Sequence, residues 1–257
     1  MEHRATCPQT GGVGMSSMVG QNGRRTLERA RRRARDPRRQ LAALGPVEQL
    51  RAGRLGRRVA QLLVGLALYG ASIGLMVRGV LGNMPWDVLH QGIARHVPLS
   101  LGTIIVAASV LVLLLWIPLR QQPGVGTVAN ALLVGLAADA TLWLVAPGEG
   151  WLERGALMAG GVLLNGVASA MYIGAQLGPG PRDGLMTGVA RRTGWSLRVV
   201  RTGIEVTVIA LGWVLGGVVG LGTVLYAVAI GLLTQTLLPW FTVDLSAPDV
   251  SGSAGPG

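Results

Sequence analysis

Lysine is absent from this chain, cysteine occurs once and histidine three times. Every fixed side-chain cation is therefore an arginine. The lone Cys7 has no partner for an internal disulfide, and nothing in the chain has metal-site spacing. His3, His90 and His96 are scattered, which predicts polar surface or loop positions for each. No His-Glu-x-x-His, phosphate-binding Gly-x-x-x-x-Gly-Lys, nucleophile elbow or Cys-x-x-Cys occurs. So thin a supply of acids, bases and nucleophiles predicts a protein that is not an enzyme and uses no metal and no cofactor. Charge is scarce too: 14% of residues are charged, against about 25% in a soluble domain.

What fills the chain instead is apolar. Apolar residues make up 50% of it, mean hydropathy is +0.48, and there are 40 glycines without a collagen-like period. Glycine is tolerated in membrane helices because it lets backbones approach closely. The net charge of +11 is concentrated at one end. Residues 1–58 hold fourteen arginines against four acids, and the rest of the chain is nearly neutral. A like-charge block with turn residues predicts a disordered tail over 1–57. Its partner is expected to be anionic lipid headgroups rather than a specific nucleic acid, because the next element enters a bilayer. The first apolar run starts near Val59, too late and too long for a signal peptide.

Stretches of about 20 apolar residues fall at 59–80, 99–119, 126–146, 155–176, 196–217 and 222–242. Six spans follow, joined by turn chemistry such as Gly82-Asn-Met-Pro85 and Gly178-Pro-Gly-Pro181. Arginine bias places both termini on the cytoplasmic side. Trp86, Trp116, Trp143, Trp151, Trp195 and Trp240 fall near span ends, as interfacial belt residues do, and Trp213 does not.

Self-comparison adds a repeat. Residues 81–139 align with 177–235 at a constant offset of 96 without a gap, with 21 identities in 59 positions. Pro85/Pro181, Asp87/Asp183, Gly92/Gly188, Ser100/Ser196 and Thr127/Thr223 coincide, and the offset also carries Arg58 onto Arg154. Chance apolar likeness would not keep Pro, Asp, Arg and Thr in register. The repeats are expected at 58–146 and 154–243, with a short disordered tail over 244–257. Three spans is an odd number, so the second unit must stand inverted, an arrangement common among secondary transporters. The fold class expected is all-α: a polytopic membrane helix bundle of six transmembrane helices in a 3+3 inverted repeat. Short helices near 86–96 and 182–192 follow the two Leu-Gly-x-x-Pro-x-Asp motifs.

These motifs resemble the YczE/YyaS/YitT family of bacterial integral membrane proteins. The likeness lies in Pro85-Trp-Asp-Val-Leu-His-Gln-Gly92, Trp116-Ile-Pro-Leu-Arg120, Pro123-Gly-Val-Gly-Thr-Val-Ala-Asn130, Gly178-Pro-Gly-Pro-Arg-Asp-Gly-Leu-Met-Thr-Gly188, Arg201-Thr-Gly-Ile-Glu-Val-Thr207 and Gly220-Leu-Gly-Thr-Val-Leu-Tyr226. It covers about residues 47–243. The resemblance implies a helical membrane architecture and a bacterial inner-membrane address, and no substrate.

Ionisable or amide groups at membrane depth cost a few kcal/mol each to bury, so they are the functional candidates. They are Asp87, Asn130, Asp139, Asp183, Arg201 and Glu205. Arg201 and Glu205 share a helix face four residues apart; they form either a cation or proton site or a neutral pair that locks packing. Asp139, in the outer part of its span, has Arg78 as a candidate partner. Asp87 and Asp183 follow a proline by two residues, where an acid either caps a helix or, with its counterpart, builds a site from paired half-helix ends. The functional expectation is a small-solute or ion transporter working by alternating access. The alternative is a membrane scaffold or regulatory accessory protein, and an intramembrane enzyme is the weakest option. A homo-oligomer is compatible with either leading reading.

Overall fold

Two serines and two glycine-threonine turns set where the long helices begin. Ser100 and Ser196 act as N-caps, their hydroxyls accepting from Thr103 N and Val199 N. Gly124 N and Gly220 N each donate to the hydroxyl of the threonine three residues on, Thr127 and Thr223. Pro85 and Pro181 occupy the first helical position, where a missing N–H costs nothing.

The computed structural model describes residues 45–245. In chain order the helices are α1 (Pro46–Arg51), α2 (Leu55–Gly79), α3 (Pro85–Ala94), α4 (Leu101–Leu119), α5 (Val125–Leu144), α6 (Trp151–Gly174), α7 (Pro181–Thr193), α8 (Leu197–Val214) and α9 (Leu221–Phe241). Among the described residues there is no strand. Helices start at Leu55, Pro85, Leu101 and Val125, and again 96 positions later at Trp151, Pro181, Leu197 and Leu221. The tail expected over 1–57 lies mostly outside the described residues. Its last part differs from expectation, since 46–51 is helical and α2 begins at Leu55. The tail expected over 244–257 lies almost wholly outside them.

Among the described residues five helices are long and apolar enough to cross a membrane: α2, α4, α5, α6 and α9. Six were expected. The helix that falls short is α8, which carries Arg198, Arg201 and Glu205 within 18 residues. The bundle's outer surface is apolar. Leu111, Ile117, Leu136, Leu152, Val214 and Leu221 are all exposed, a surface suited to lipid and not to water.

Helix α2 is the centre. It packs against α6 and α5, and α6 packs in turn against α9. Small residues make these approaches possible. A Cβ on Gly65 would meet Tyr172 N at 2.9 Å, and one on Gly79 would meet Arg154 O at 3.0 Å, so α2 and α6 run antiparallel. Gly70 lies against Val134, Ala137 and Ala138 of α5 in the same way. The remaining helices cross over: α3 packs on α8, and α7 on α4. Helix α4 also packs on α5, with Gly102 and Gly135 at the crossing, whereas no comparable packing joins α8 to α9.

The loops before α3 and α7 exchange hydrogen bonds with the opposite half. Gly222 N donates to Leu81 O at 2.8 Å, and Gly126 N donates to Leu177 O at 2.7 Å. These are the same contact 96 residues apart. Gly82 and Gly178 hold those loops at φ +120° and +121°, a conformation that side chains rarely adopt.

Of the seven tryptophans, Trp143, Trp151, Trp195, Trp213 and Trp240 are exposed. Trp86 and Trp116, expected in the interfacial belt, are buried instead. Each sits on a helix that crosses to the other half: Trp116 Nε1–H donates to Pro181 O at 3.0 Å.

Candidate functional site

The two short helices bring their first turns together. Asp87 in the first turn of α3 is 1% exposed, and its Oδ1 lies 3.7 Å from an Nη of Arg182 in the first turn of α7. The Arg182 guanidinium also sits 5.5 Å from the Trp86 ring centroid, within cation–π range. On its own helix Asp87 Oδ1 lies 3.0 Å from His90 Nδ1, and both side chains are almost fully buried. Asp87, His90 and Arg182 thus form a cluster that spans the two halves of the chain.

Beside it lies a small cavity of about 50 Å³, lined among others by Tyr69, Ser109, Asn130, Tyr172, Arg182 and Asp183. Arg182 is the shared member of cluster and cavity. Asp183 stands exposed at its rim, with Tyr172 Oη–H donating to its Oδ2 at 2.9 Å. The chain has three tyrosines, and all three meet here. Tyr69 and Tyr172 pack edge to face with centroids 5.8 Å apart. Tyr226 lies in the electrostatic neighbourhood of Tyr69 and donates to Asn165 Oδ1 at 3.2 Å. Asn165 Nδ2 in turn donates to the buried Ser72 hydroxyl at 2.7 Å, which ties α2, α6 and α9 into one polar network.

Several buried polar atoms at the start of α3 have no hydrogen-bond partner among the described residues: Asn83 Oδ1 and Nδ2, Trp86 Nε1, Asp87 Oδ2 and His90 Nε2. A buried unsatisfied group costs about 1–3 kcal/mol. Five such atoms within eight residues mark a segment whose polarity is not spent on holding the fold.

The six residues singled out by sequence separate into three places. Asp87, Asp183 and Asn130 meet at the cluster and its cavity. Asp139 lies toward the other end of α4. Its Oδ1 accepts from Gly102 N at 2.7 Å and its Oδ2 from the Ser100 hydroxyl at 2.5 Å. It fastens α5 to the start of α4 and does not pair with Arg78, whose guanidinium goes to Leu142 O. Arg201 Nε donates to Glu205 at 2.8 Å, as the four-residue spacing predicts, but the pair is exposed on α8, at 58% and 30%. The site candidates named from sequence did not include His90, Trp86, Arg182 or the tyrosines. His90 was expected at the surface and is buried, because α3 folds inward under α8 and α4. The one available signal was the 96-residue match of Trp86 to Arg182, an aromatic opposite a cation.

Among the described residues no group of three or more His, Cys, Asp or Glu is arranged to hold a metal ion.

Comparison with known proteins places the fold in a lineage. A family described as "Family of unknown function (DUF6198)" matches residues 56–239. An uncharacterized protein of Haemophilus influenzae is 41% identical, over 71% of this chain and 84% of its own length. The uncharacterized membrane protein YczE of Bacillus subtilis is 32% identical, over 68% of this chain and 82% of its own length. YyaS of Bacillus subtilis is 24% identical, over 68% and 90% respectively. No solved structure matches. The resemblance read from the motifs is upheld: the chain is a membrane protein belonging to the DUF6198 family, alongside its relatives YczE and YyaS.

Proposed function

We propose that the chain is a small-solute or ion transporter of the bacterial inner membrane, built as a 3+3 inverted repeat with α8 as the sixth span. The observation that carries this reading is Arg182, which pairs with a buried Asp87 from the other half and also lines the cavity. A charge that bridges two repeats beside a cavity is where a rocking motion would be felt by a bound solute. The repeat reading draws support from the common 96-residue spacing of helix starts, the antiparallel run of α2 and α6, and the exchanged loop bonds Gly222–Leu81 and Gly126–Leu177. Swapped identical contacts are what a twofold axis produces.

The asymmetry of the halves supports alternating access. In the first half α4 is closed on α5 at Gly102, Gly135 and Asp139. The positions 96 residues on are Arg198, Gly231 and Gln235, and there α8 stands away from α9. Arginine bias puts that open end, and both termini, in the cytoplasm. The arrangement then corresponds to an inward-open state.

Flux of labelled small solutes into proteoliposomes tests the reading. It requires flux that disappears in Arg182→Gln while the protein stays monodisperse. Topology is tested separately by impermeant thiol labelling of Leu99→Cys and Trp195→Cys in a Cys7→Ser background. Both positions are exposed and stand 96 residues apart. Labelling from opposite faces is expected, and labelling from one face ends the inverted-repeat reading. The second reading, a scaffold for a membrane partner, draws on the exposed Arg201–Glu205 pair. An ion pair facing lipid is costly, so a partner helix covering it would be favoured.

A further inference from the structure

Arg182 has more hydrogen-bonding capacity than the protein uses. A guanidinium carries five N–H donors in a fork that matches a carboxylate. Among the described residues Arg182 makes one ion pair, at 3.7 Å, and one ring contact, and neither is a hydrogen bond. Its side chain is 22% exposed, enough for a ligand to reach it. It sits in the first turn of the 13-residue α7, and Gly180, Pro181, Arg182 and Asp183 of that turn all line the cavity. Free backbone N–H groups at a helix start add to the pull on an anion.

On its far side Arg182 faces the buried Asp87–His90 pair. With His90 neutral, Asp87, His90 and Arg182 sum to zero charge. An anion arriving at Arg182 leaves Asp87 unbalanced in a buried place, which is costly. One proton on the Asp87–His90 pair restores balance, and Asp87 Oδ2 and His90 Nε2 are both buried and unpartnered. Among the described residues around Arg182, Asp87 and His90 are the two that leave a buried titratable atom without a partner. Helix α4 has no titratable side chain, and it meets α3 through Val112 and Trp116. Helix α8 meets α3 through Ile204, Val208 and Gly212; of its charges, Arg198 is exposed in the first turn, and Arg201 is paired with Glu205 and reaches Asp183 and Tyr226 only through longer-range attraction. Helices α2 and α9 contribute only Tyr69 and Tyr226 to this electrostatic neighbourhood, and α7 adds Asp183 at the rim.

We propose that the cavity takes the carboxylate of a small solute at Arg182, and that the Asp87–His90 pair, released from Arg182, takes up one proton with it. This rests on the transporter reading only for its consequence, proton-coupled uptake; the binding site stands on its own geometry. The carboxylate belongs either to a monoanion or to a zwitterion whose ammonium group meets Asp183.

The test uses the full chain in lipid nanodiscs, with acetate, glycine and ethylammonium as probes, calorimetry for binding and a pH indicator in weak buffer for protons. Acetate or glycine is expected to bind with uptake of about one proton per ligand. Affinity is then highest at low pH and weakens by about tenfold per pH unit above the pair's titration point. Asp87→Asn mimics the protonated pair, so it is expected to bind the same probe with affinity that no longer varies with pH. Arg182→Gln in the Asp87→Asn background, which removes both charges together, is expected to lose the binding that Asp87→Asn alone retains, while melting close to Asp87→Asn. Asp183→Asn separates the sources, weakening glycine if the solute is zwitterionic and strengthening acetate if it is a monoanion. The proposal is overturned if neither carboxylate binds, if ethylammonium binds in preference, or if binding draws no proton. Carboxylate binding without flux would end the transporter reading and leave this one intact; flux of ethylammonium alone would do the reverse.

Discussion

Arg58 and Arg154 occupy equivalent positions 96 residues apart, yet they should differ sharply in what they hold. Arg58 is fully buried. Its Nε donates to Ala175 O at 2.8 Å, and its Nη atoms donate to Gln49 O at 2.6 Å, Ala52 O at 2.9 Å and Gln176 O at 2.6 Å. Those carbonyls belong to the corner between α1 and α2 and to the end of α6, where backbone acceptors lack helical partners. Arg154 makes one such bond, Nε to Gly148 O at 2.9 Å. A charged hydrogen bond contributes about 1.5–3 kcal/mol, but four on one guanidinium do not add. Burial of the charge offsets part of the gain, and Arg58→Ala leaves several backbone acceptors unsatisfied at about 1–3 kcal/mol each, so the expected loss is about 4 kcal/mol. For a domain of this size that is roughly 8–16 °C of melting temperature. Arg154→Ala should cost about 1 kcal/mol, or roughly 2–4 °C. Arg58→Lys should recover less than half, because a single ammonium cannot fork to α1 and α6 together. Thermal unfolding of the purified protein in detergent, followed by tryptophan fluorescence, reads all three. Equal losses at Arg58 and Arg154 would refute the reasoning, since residue type and repeat position would then matter more than the bonds made.

Other substitutions probe the packing and the charged groups. Gly184→Ala places a Cβ into the Trp116 ring and breaks its bond to Pro181 O, with an expected loss of about 2–4 kcal/mol. Gly203→Ala, where a Cβ meets open space, should be neutral or stabilising by the same melting assay. Asp139→Ala removes both fastenings of α5 to the start of α4 and should lower stability by about 3 kcal/mol, with Asp139→Asn near half of that; an unchanged melting curve would show the latch to be idle. Glu205→Gln disrupts a pair that the inward-open arrangement leaves facing water, and should shift stability by under about 1 kcal/mol. A larger drop would mean that α8's open face is covered in the membrane.

Helix starts were readable because their chemistry is local. Ser100, Ser196, Pro85, Pro181 and the two Gly-x-Gly-Thr turns act on backbone atoms within three residues, so one-dimensional pattern suffices. The Arg201–Glu205 bond was readable for the same reason. What failed was every inference that needed to know which helix lies across from which. Trp86 and Trp116 were placed at the interface because they lie near helix ends, but the crossing of α3 onto α8 and α7 onto α4 takes those ends inward. Asp139 was matched with Arg78 by depth alone, while the closer donors were the start of α4, brought there by Gly102 and Gly135. The site shows the limit most clearly. Tyr69, Tyr172 and Tyr226 come from three helices and carry no spacing in common, so only the packed bundle brings them together. Asp87 and Asp183 could be paired through the repeat, yet the repeat rule would make their surroundings alike. They differ because Trp86 stands opposite Arg182 and His90 opposite Met186. The backbone contacts that recur at a spacing of 96 residues rest on glycines and caps, which tolerate little change. Chemistry enters where the two copies are free to diverge, so a search for function in such a chain should start from mismatched positions lying inside matched motifs.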